Sequence, residues 1–592
     1  MTIMKFTQLS VAAAVSALTF STVTNAVLGP IPIYLNTEYR TESPVIGSIA
    51  STLSFNADDI KATGANTFLD FLATVPSVNL YNPTGNVPAI FMRGGDSDHT
   101  LVLVDGISVN SADSLNGAVE YGLTTIALND IEKVEIIKNS GSVLYGSSAI
   151  SGVISITTKK GAEGRSASVN TKYGTHNSKT YNLSASSGND NGFIRFTHNK
   201  HTTGGINTQT GDTTGEKDSI DNKSTQIKIG NKDFDISYLE SRNKTEYDGF
   251  GGTDSGELGD RKFTKIAANM SKQISENWST KLSFSKAKNS RNTGVNATTI
   301  GDKFKNTTIA LLNDIKIDSA LLNIGLSQDE NENTTEKLKH TSKDLFINWQ
   351  KNINDLDVNT GARHIKHNKF GNHTIYDAGI GKELGNDVRL TANYNTAFQA
   401  PTLKEVTAGT QTNNLKPETS KNINIGLSKA HVWGEVDLSL FKNKEKNGIK
   451  YDGGWPNSIY TNADEYSAKG AELSVNANVS DYSIDFDHTY SKSSVNNSST
   501  QPVRRPKNIS NLMINKQYGK FNSRIQVIKK SSSLDTVKLK GYTLLNLGTN
   551  YAINKNIKAS LTVNNATDKE YTTANGYNNP KRIIELGLDY KF

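Results

Sequence analysis

Cysteine is absent from the chain, which excludes a disulfide framework, a thiolate metal centre and a cysteine nucleophile together. No run after residue 26 approaches the roughly 18 uninterrupted apolar residues that a membrane-spanning helix needs, so a polytopic helical membrane protein is excluded as well. A dominant charge is missing too. The 65 Lys+Arg set against 58 Asp+Glu leave +7 spread along 592 residues with no basic block, and no nucleic-acid partner is expected. There is no Gly-x-Ser-x-Gly elbow, no His-Glu-x-x-His and no Walker-type phosphate loop. The ten histidines are scattered, and the one close set, His364, His367 and His373, has the mixed spacing of ordinary surface histidines. An enzyme is not expected.

One membrane architecture survives these exclusions. A closed barrel alternates lipid-facing and lumen-facing residues along each strand, so it tolerates a mean hydropathy of −0.49. The N-terminus points outward from the cytoplasm: Lys5 precedes an apolar stretch from Leu9 to Phe20, then the small and polar run Ser21 to Ala26. These are the parts of a secretory signal, residues 1–26, with cleavage expected after Ala26.

Residues 38–163 read as a small mixed domain. Asn56 to Val75 reads as short helices ended by Pro76, and extended runs follow at Ala89 to Met92, Leu101 to Val104, Val134 to Ile137 and Val153 to Thr158. From residue 164 the texture changes to long alternation. Ile584, Leu586, Leu588, Tyr590 and Phe592 alternate with Glu585, Gly587, Asp589 and Lys591, and Leu473, Val475 and Ala477 with Glu472, Ser474 and Asn476. Counted back from Phe592, strand candidates are joined alternately by long polar loops and very short turns, which is the asymmetry of an outer-membrane barrel. Residues 164–592 number 429 (592 − 163), and about ten residues per strand over roughly 22 strands takes about 220 of them. A lumen that wide needs a plug, and the preceding domain is the candidate.

Specific motifs support the same architecture. "DFLATVPSVNL" (Asp70 to Leu80), "AIFMRG" (Ala89 to Gly94), "LVLVDGI" (Leu101 to Ile107) and "IEKVEIIKNSGSVLYGSSAISGVISITTKKG" (Ile131 to Gly161) stand in the order found in the plug of TonB-dependent outer-membrane receptors, which this domain resembles. The barrel half adds "NTAFQAPTLKEV" (Asn395 to Val406), "NLKPETSKNINIGL" (Asn414 to Leu427), "VNNATDKEYTT" (Val563 to Thr573) and the terminal Phe592. Asn139-Ser140 replaces the usual Gly-Pro, with Asn139 expected to take a left-handed turn. Arg93, Glu132 and Glu135 are expected to form ion pairs between plug and barrel, since buried charges need partners.

The resemblance implies a monomer in the bacterial outer membrane, lipid around the barrel, and folding by the barrel assembly machinery through Phe592. It also implies energy coupling to TonB, with ExbB and ExbD in the inner membrane. TonB would pair as an added strand with a segment in residues 27–37, for which Ile31, Pro32, Ile33, Tyr34, Leu35, Asn36 and Thr37 form the extended candidate. The stretch between Phe398 and Leu415 lacks the histidine of haem carriers.

Within the family the pattern is most similar to cobalamin transport. By that resemblance, calcium would order the outer loops through Asp218, Asp221, Asp248 and Asp260, with Tyr247 touching the ligand. Carboxylates so clustered suit calcium, although Lys217, Arg261 and Lys262 offer an alternative neutralisation. On the plug, Tyr81, Asn82, Asn86, Asn110, Ser111, Asp113 and Asn116 are expected to floor the ligand site, and their neutral amides and hydroxyls suit cobalamin better than a catecholate siderophore. A ferric siderophore receptor and a surface-loop adhesin or phage receptor stay open as alternatives.

Overall fold

The computed structural model describes residues 40, 44–81, 89–110, 126–161, 163–248, 257–407, 414–452, 459–462, 465–496, 498 and 501–592. The secretory signal, the Ile31 to Thr37 segment, Asn82, Asn86, Ser111, Asp113 and Asn116 lie outside the described residues.

The plug is built on a five-stranded sheet in the order β1 (Thr52–Asn56), β6 (Ile131–Ile137), β7 (Gly152–Thr158), β4 (Thr100–Val104), β5 (Ile107–Ser108), with β2 (Val78–Tyr81) and β3 (Ala89–Met92) as a separate hairpin. Only the β4–β7 pair is parallel. Helix α1 (Ala57–Ala62) starts at Asn56, whose side chain accepts from the Asp58 and Asp59 amides while Asp59 reaches back to the Asn56 amide. Helix α2 (Phe68–Thr74) repeats that reciprocal cap with Thr67 and Asp70, which satisfies donors that a helix start otherwise leaves unmade. The 3.6-residue period then turns Phe68, Phe71 and Leu72 inward to full burial against Val134, Ile136, Ile154 and Ile156 of the sheet. The β4–β5 hairpin turns at Asp105-Gly106, with φ of 53° and 78°. Both residues are left-handed, as a two-residue turn of this hand requires, and glycine takes its share without strain.

Around the plug, 22 antiparallel strands run from Gly164–Gly174 to Ile583–Lys591 and form one closed barrel. The last strand pairs with the first, from Glu585↔Gly174 to Lys591↔Ser168, so no edge is left to lipid. Alternation sorts the faces as the sequence pattern predicts. Ile584, Leu586 and Leu588 are 41%, 62% and 47% exposed on the lipid side, while Glu585 between them is 4% exposed inside.

Connections at one rim are short throughout, from 190–191 and 231–233 to 519–520 and 553–556. The other rim carries the long ones, at 204–219, 248–256, 400–417, 447–465, 496–507, 531–541 and 565–582. Between residues 294 and 370 this outer rim departs from the pattern, with connections of only 294–298, 334–337 and 368–370. The strands there are long instead, with 19 residues in both Glu257–Ser275 and Thr299–Ile317, so paired backbone rises where other hairpins open into loops.

The plug is fastened to the lumen wall by polar contacts. Arg195 of the barrel grips Asp130 at 2.7 Å, Lys228 reaches Asp105 at 3.2 Å, and Lys265 Nζ donates to the Val104 carbonyl at 2.9 Å. Burial favours the neutral form of the Asp105 carboxyl, but Lys228, Lys265 and two donors from Thr158 outweigh it and hold the group below the ordinary carboxylate range.

Of the three charges expected to bridge plug and barrel, Arg93 does so, on Glu472. Glu135 pairs at 2.8 Å with Lys133, two residues away on the same face of β6, and Glu132 is exposed. Asn139 is not left-handed either: its amide is drawn to Asn393 Oδ1 on the barrel wall, and an ordinary backbone serves that contact.

Candidate functional site

At the outer rim, strand pairing decides which acids meet. Strand Ile220–Gly230 pairs with Phe234–Tyr247 in the register Ile220↔Thr245, and the ladder continues past the rim, where Ser219 and Glu246 exchange backbone and side-chain hydrogen bonds. Outward of that rung stand Asp218, next on one arm, and Asp248, two residues on along the other. Their carboxylates converge with that of Glu216, one oxygen from each lying within 4.8 Å of the others. Asp218 is 2% and Asp248 5% exposed. The Asp218 Oδ2 accepts from the Thr208 amide at 3.0 Å and its hydroxyl at 2.5 Å, which folds the 204–219 loop over the pair.

This trio holds two of the four expected aspartates. Asp221 stands three residues from Asp218, and in an extended chain an odd spacing reverses the face. It is half-exposed beside Lys200 at 3.8 Å. Asp260 is held by Arg242 through two hydrogen bonds of 2.8 and 2.5 Å, on the face opposite buried Arg261. Tyr247 turns toward the neighbouring hairpin, where its hydroxyl accepts from the Gly294 amide at 3.4 Å. Glu216 was not among the expected ligands, although its i−2 spacing from Asp218 was a readable signal of a shared face.

The acidic trio connects physically to the plug. The 204–219 loop docks on the last outer loop, through the Thr210 amide to the Gly576 carbonyl at 2.9 Å, the Asn578 amide to the Thr208 carbonyl at 2.8 Å, and a bridge between Gln209 and Tyr577. Tyr577 in turn packs with Ala574 on plug residues Tyr81 and Phe91. Tyr81 is therefore 4% exposed, roofed by Ala574 and by the Arg504 guanidinium 4.2 Å above its ring. Arg504 is paired with Asp535 at 3.0 Å, and Arg505, stacked 4.5 Å over Phe91, with Asp96 at 3.2 Å. Asn110 has a different duty from a ligand contact. Its amide accepts from Val102 N–H at 2.8 Å and donates to the Thr100 carbonyl at 2.9 Å, capping the edge of β4 in place of a strand.

Deeper, Arg93 of the plug (φ 50°) reaches the inner wall of the barrel. It donates to Glu472 at 2.6 Å, to Asn424 and Ser439 at 3.1 Å each, and lies 4.7 Å over the Phe441 ring. Lys138 reaches the same Glu472 oxygen at 3.2 Å. His340, His367 and Phe370 meet edge-on or tilted, and His373 lies tilted against Phe398, as aromatic packing.

Compared with known proteins, residues 155–566 match the family described as TonB dependent receptor-like, beta-barrel, and residues 44–153 match the TonB-dependent Receptor Plug Domain. The chain is 25% identical, over 564 residues covering 90% of both sequences, to the vitamin B12 transporter BtuB of Vibrio vulnificus strain YJ016. Among solved structures it resembles the siderophore receptor PirA from Acinetobacter baumannii, with a TM-score of 0.78 and 16% identity over 91% of this chain and 98% of that one. The ferric enterobactin receptor PfeA from Pseudomonas aeruginosa follows at 0.75 and 18%, over 91% and 98%.

Proposed function

This chain belongs to the family of TonB-dependent receptors, and from that premise we propose that the cargo it takes across the outer membrane is cobalamin or a related corrinoid. The observation that carries the reading is the convergence of Asp218 and Asp248, from two different outer loops, onto one point with Glu216. Three hard oxygen donors and no nitrogen or sulfur form a donor set that calcium fits. Glu216, Asp218 and Asp248 would hold the ion. Asp221 and Asp260, already matched by Lys200 and Arg242, are not needed for it.

Ordering these loops matters because the 204–219 loop leans on Tyr577, and Tyr577 on the plug residues Tyr81 and Phe91. An ion bound at the rim therefore stiffens the roof of the ligand chamber before the ligand arrives, which lowers the entropy cost of the later step. The whole-length match to vitamin B12 transporters supports the corrinoid assignment. The segment from Ile31 to Thr37 is the part we assign to pairing with TonB, with ExbB and ExbD coupling it to the inner-membrane gradient.

A ferric siderophore is the second reading, favoured by Arg504 and Arg505 stacked on the top of the plug, since guanidinium groups suit an anionic chelate. Asp535 and Asp96 already neutralise both, which leaves the floor close to uncharged. Calorimetry on the purified mature protein with cyanocobalamin and with a ferric catecholate, each with and without calcium, separates the two. Calcium-strengthened binding of cobalamin alone is expected. Tight binding of the ferric catecholate with no heat from cobalamin overturns the assignment.

A further inference from the structure

Where the plug meets the barrel below the outer loops, one histidine is surrounded by carboxylates. His99 lies in a short 3-10 turn (Ser97–His99) between β3 and β4 and is 2% exposed. Its Nε2 is 3.4 Å from Asp98 Oδ1 and 3.3 Å from Glu418 Oε2, and its Nδ1 is 3.3 Å from Glu445 Oε2. Asp98, Glu418 and Glu445 are each no more than 5% exposed. Glu405, from the short helix Leu403–Thr407, faces His99 and Glu418, and its Oε1 is buried with no hydrogen-bond partner. Among the described residues, the further cation facing the group, Arg505, is matched by Asp96. Four buried carboxylates thus share a single imidazole, an arrangement that costs several kcal/mol per uncompensated ion unless positive charge is added.

The distances indicate which charge fits. Charge-assisted N–H···O⁻ bonds run at about 2.7–2.9 Å, and both Nε2 contacts are longer. Two ligand atoms each about 2.1 Å from a tetrahedral zinc lie about 3.4 Å apart, which matches the two Nε2···O separations. The remaining atoms of the three ligands are tied down from outside. Asp98 Oδ2 accepts from Gln399 at 2.8 Å, Glu418 Oε1 accepts from the Ile449 amide at 2.6 Å, and Nδ1 faces Glu445. Nδ1 also accepts from the Asp96 backbone N–H at 3.1 Å. A metal on Nε2 requires the tautomer with the ring proton on Nδ1, so the Asp96 amide would give way there and Nδ1–H would pair with Glu445 instead.

We propose that His99 Nε2, Asp98 and Glu418 form a site for a divalent transition metal, zinc by its donor set and geometry, which ties the plug to the barrel wall. Glu405 stands within the same pocket as a further oxygen donor, and Glu445 orients the imidazole. The site is independent of the cargo and differs from the outer acidic trio in having a nitrogen ligand, which selects against calcium.

The test uses the full mature protein in detergent, stripped with a chelator, held in excess calcium and titrated with Zn(II), with bound metal counted after desalting. One retained equivalent is expected in the wild type and in an Asp218→Asn, Asp248→Asn double variant. It should be lost in His99→Gln and in Glu418→Gln, and bound about 10- to 100-fold more weakly in Glu445→Gln. Cobalt(II) should give the intense visible bands of a four-coordinate site in the wild type and not in His99→Gln. Heat-modifiable gel mobility identifies folded barrels, and if His99→Gln does not fold, Glu418→Gln decides. A wild type that retains no zinc, or folded His99→Gln or Glu418→Gln protein that retains the full equivalent, overturns the site.

Discussion

Glu472 joins two plug cations to the barrel wall, and Glu472→Gln is the substitution that isolates this link. The glutamine keeps the size of the side chain and removes its charge, leaving Arg93 at 1% and Lys138 at 6% side-chain exposure without their carboxylate. Removing one partner of a buried pair costs about 3–5 kcal/mol, because the other charge is left desolvated and unmatched. Arg93 keeps Asn424, Ser439 and the Phe441 ring, so the lower end applies. At about 1.4 kcal/mol per tenfold, 3 kcal/mol raises the population of barrels with a displaced plug roughly 100-fold. The assay is conductance across a planar bilayer holding the mature protein, where a barrel whose plug has shifted passes ions. Replacing all three residues with methionine should restore most of the closure, since nothing charged is then buried. Glu472→Gln openings within threefold of the wild type would refute the reasoning and reduce the pair to a contact without net value.

Asp218→Asn together with Asp248→Asn should abolish the calcium dependence of cobalamin binding while leaving the calcium-free affinity nearly unchanged; equal losses with and without calcium, read by calorimetry, would show that the acids do not act through the ion. Leu35→Pro should stop energised uptake into cells while surface binding stays normal, because a proline removes an amide donor from the segment proposed to pair with TonB by its backbone. Uptake at the normal rate would make that segment a linker. Asp105 gives a pH dependence. Its folded-state pKa is lowered, so its contribution to plug seating is complete above the ordinary carboxylate value of about 3.9 and is lost as pH falls through the folded value. Bilayer openings should rise on acidification below about pH 4, and in Asp105→Asn they should already be raised at neutral pH and lose that acid-dependent component; an unchanged acid response in Asp105→Asn would remove Asp105 as its source.

The barrel was legible because its physics repeats every two residues. Each strand must alternate to face lipid and lumen, so Ile584 to Phe592 revealed its faces without any knowledge of its neighbours. Partners across the lumen have no such local signature. Arg93 and Glu472 are 379 positions apart, and nothing in either segment indicates which charge the other meets. Glu135 is the opposite case: Lys133, an opposite charge two residues away on its own face, pairs with it within the plug and is visible in the local sequence. The outer trio falls between these cases. Asp218 and Asp248 could be named from a resemblance, but the exclusion of Asp221 needed the strand register, and Glu216 needed a rule of spacing to be applied outside a strand.

The contrast between the two interfaces of the plug suggests why its attachment is polar. Its own core is apolar, with Phe68, Phe71, Leu72 and Val134 fully buried, and holds the domain together whether or not it is seated. Its contacts to the barrel are chiefly charges and amides: Asp105, Asp130, Arg93, Lys138 and Asn79 against Lys228, Arg195, Glu472 and Lys530. In a lumen open to water, such groups exchange each other for hydration when they separate, so the net gain of each contact is about 0.5–1.5 kcal/mol for ordinary hydrogen bonds, with larger penalties only where one charge is stranded. An apolar seam of similar area would lose about 25 cal/mol for every Å² exposed, with no water contact to offset it. Polar fastening therefore gives a plug that is specific in its seat and releasable by a pull from the periplasm, provided that the charges part together and are wetted as they part.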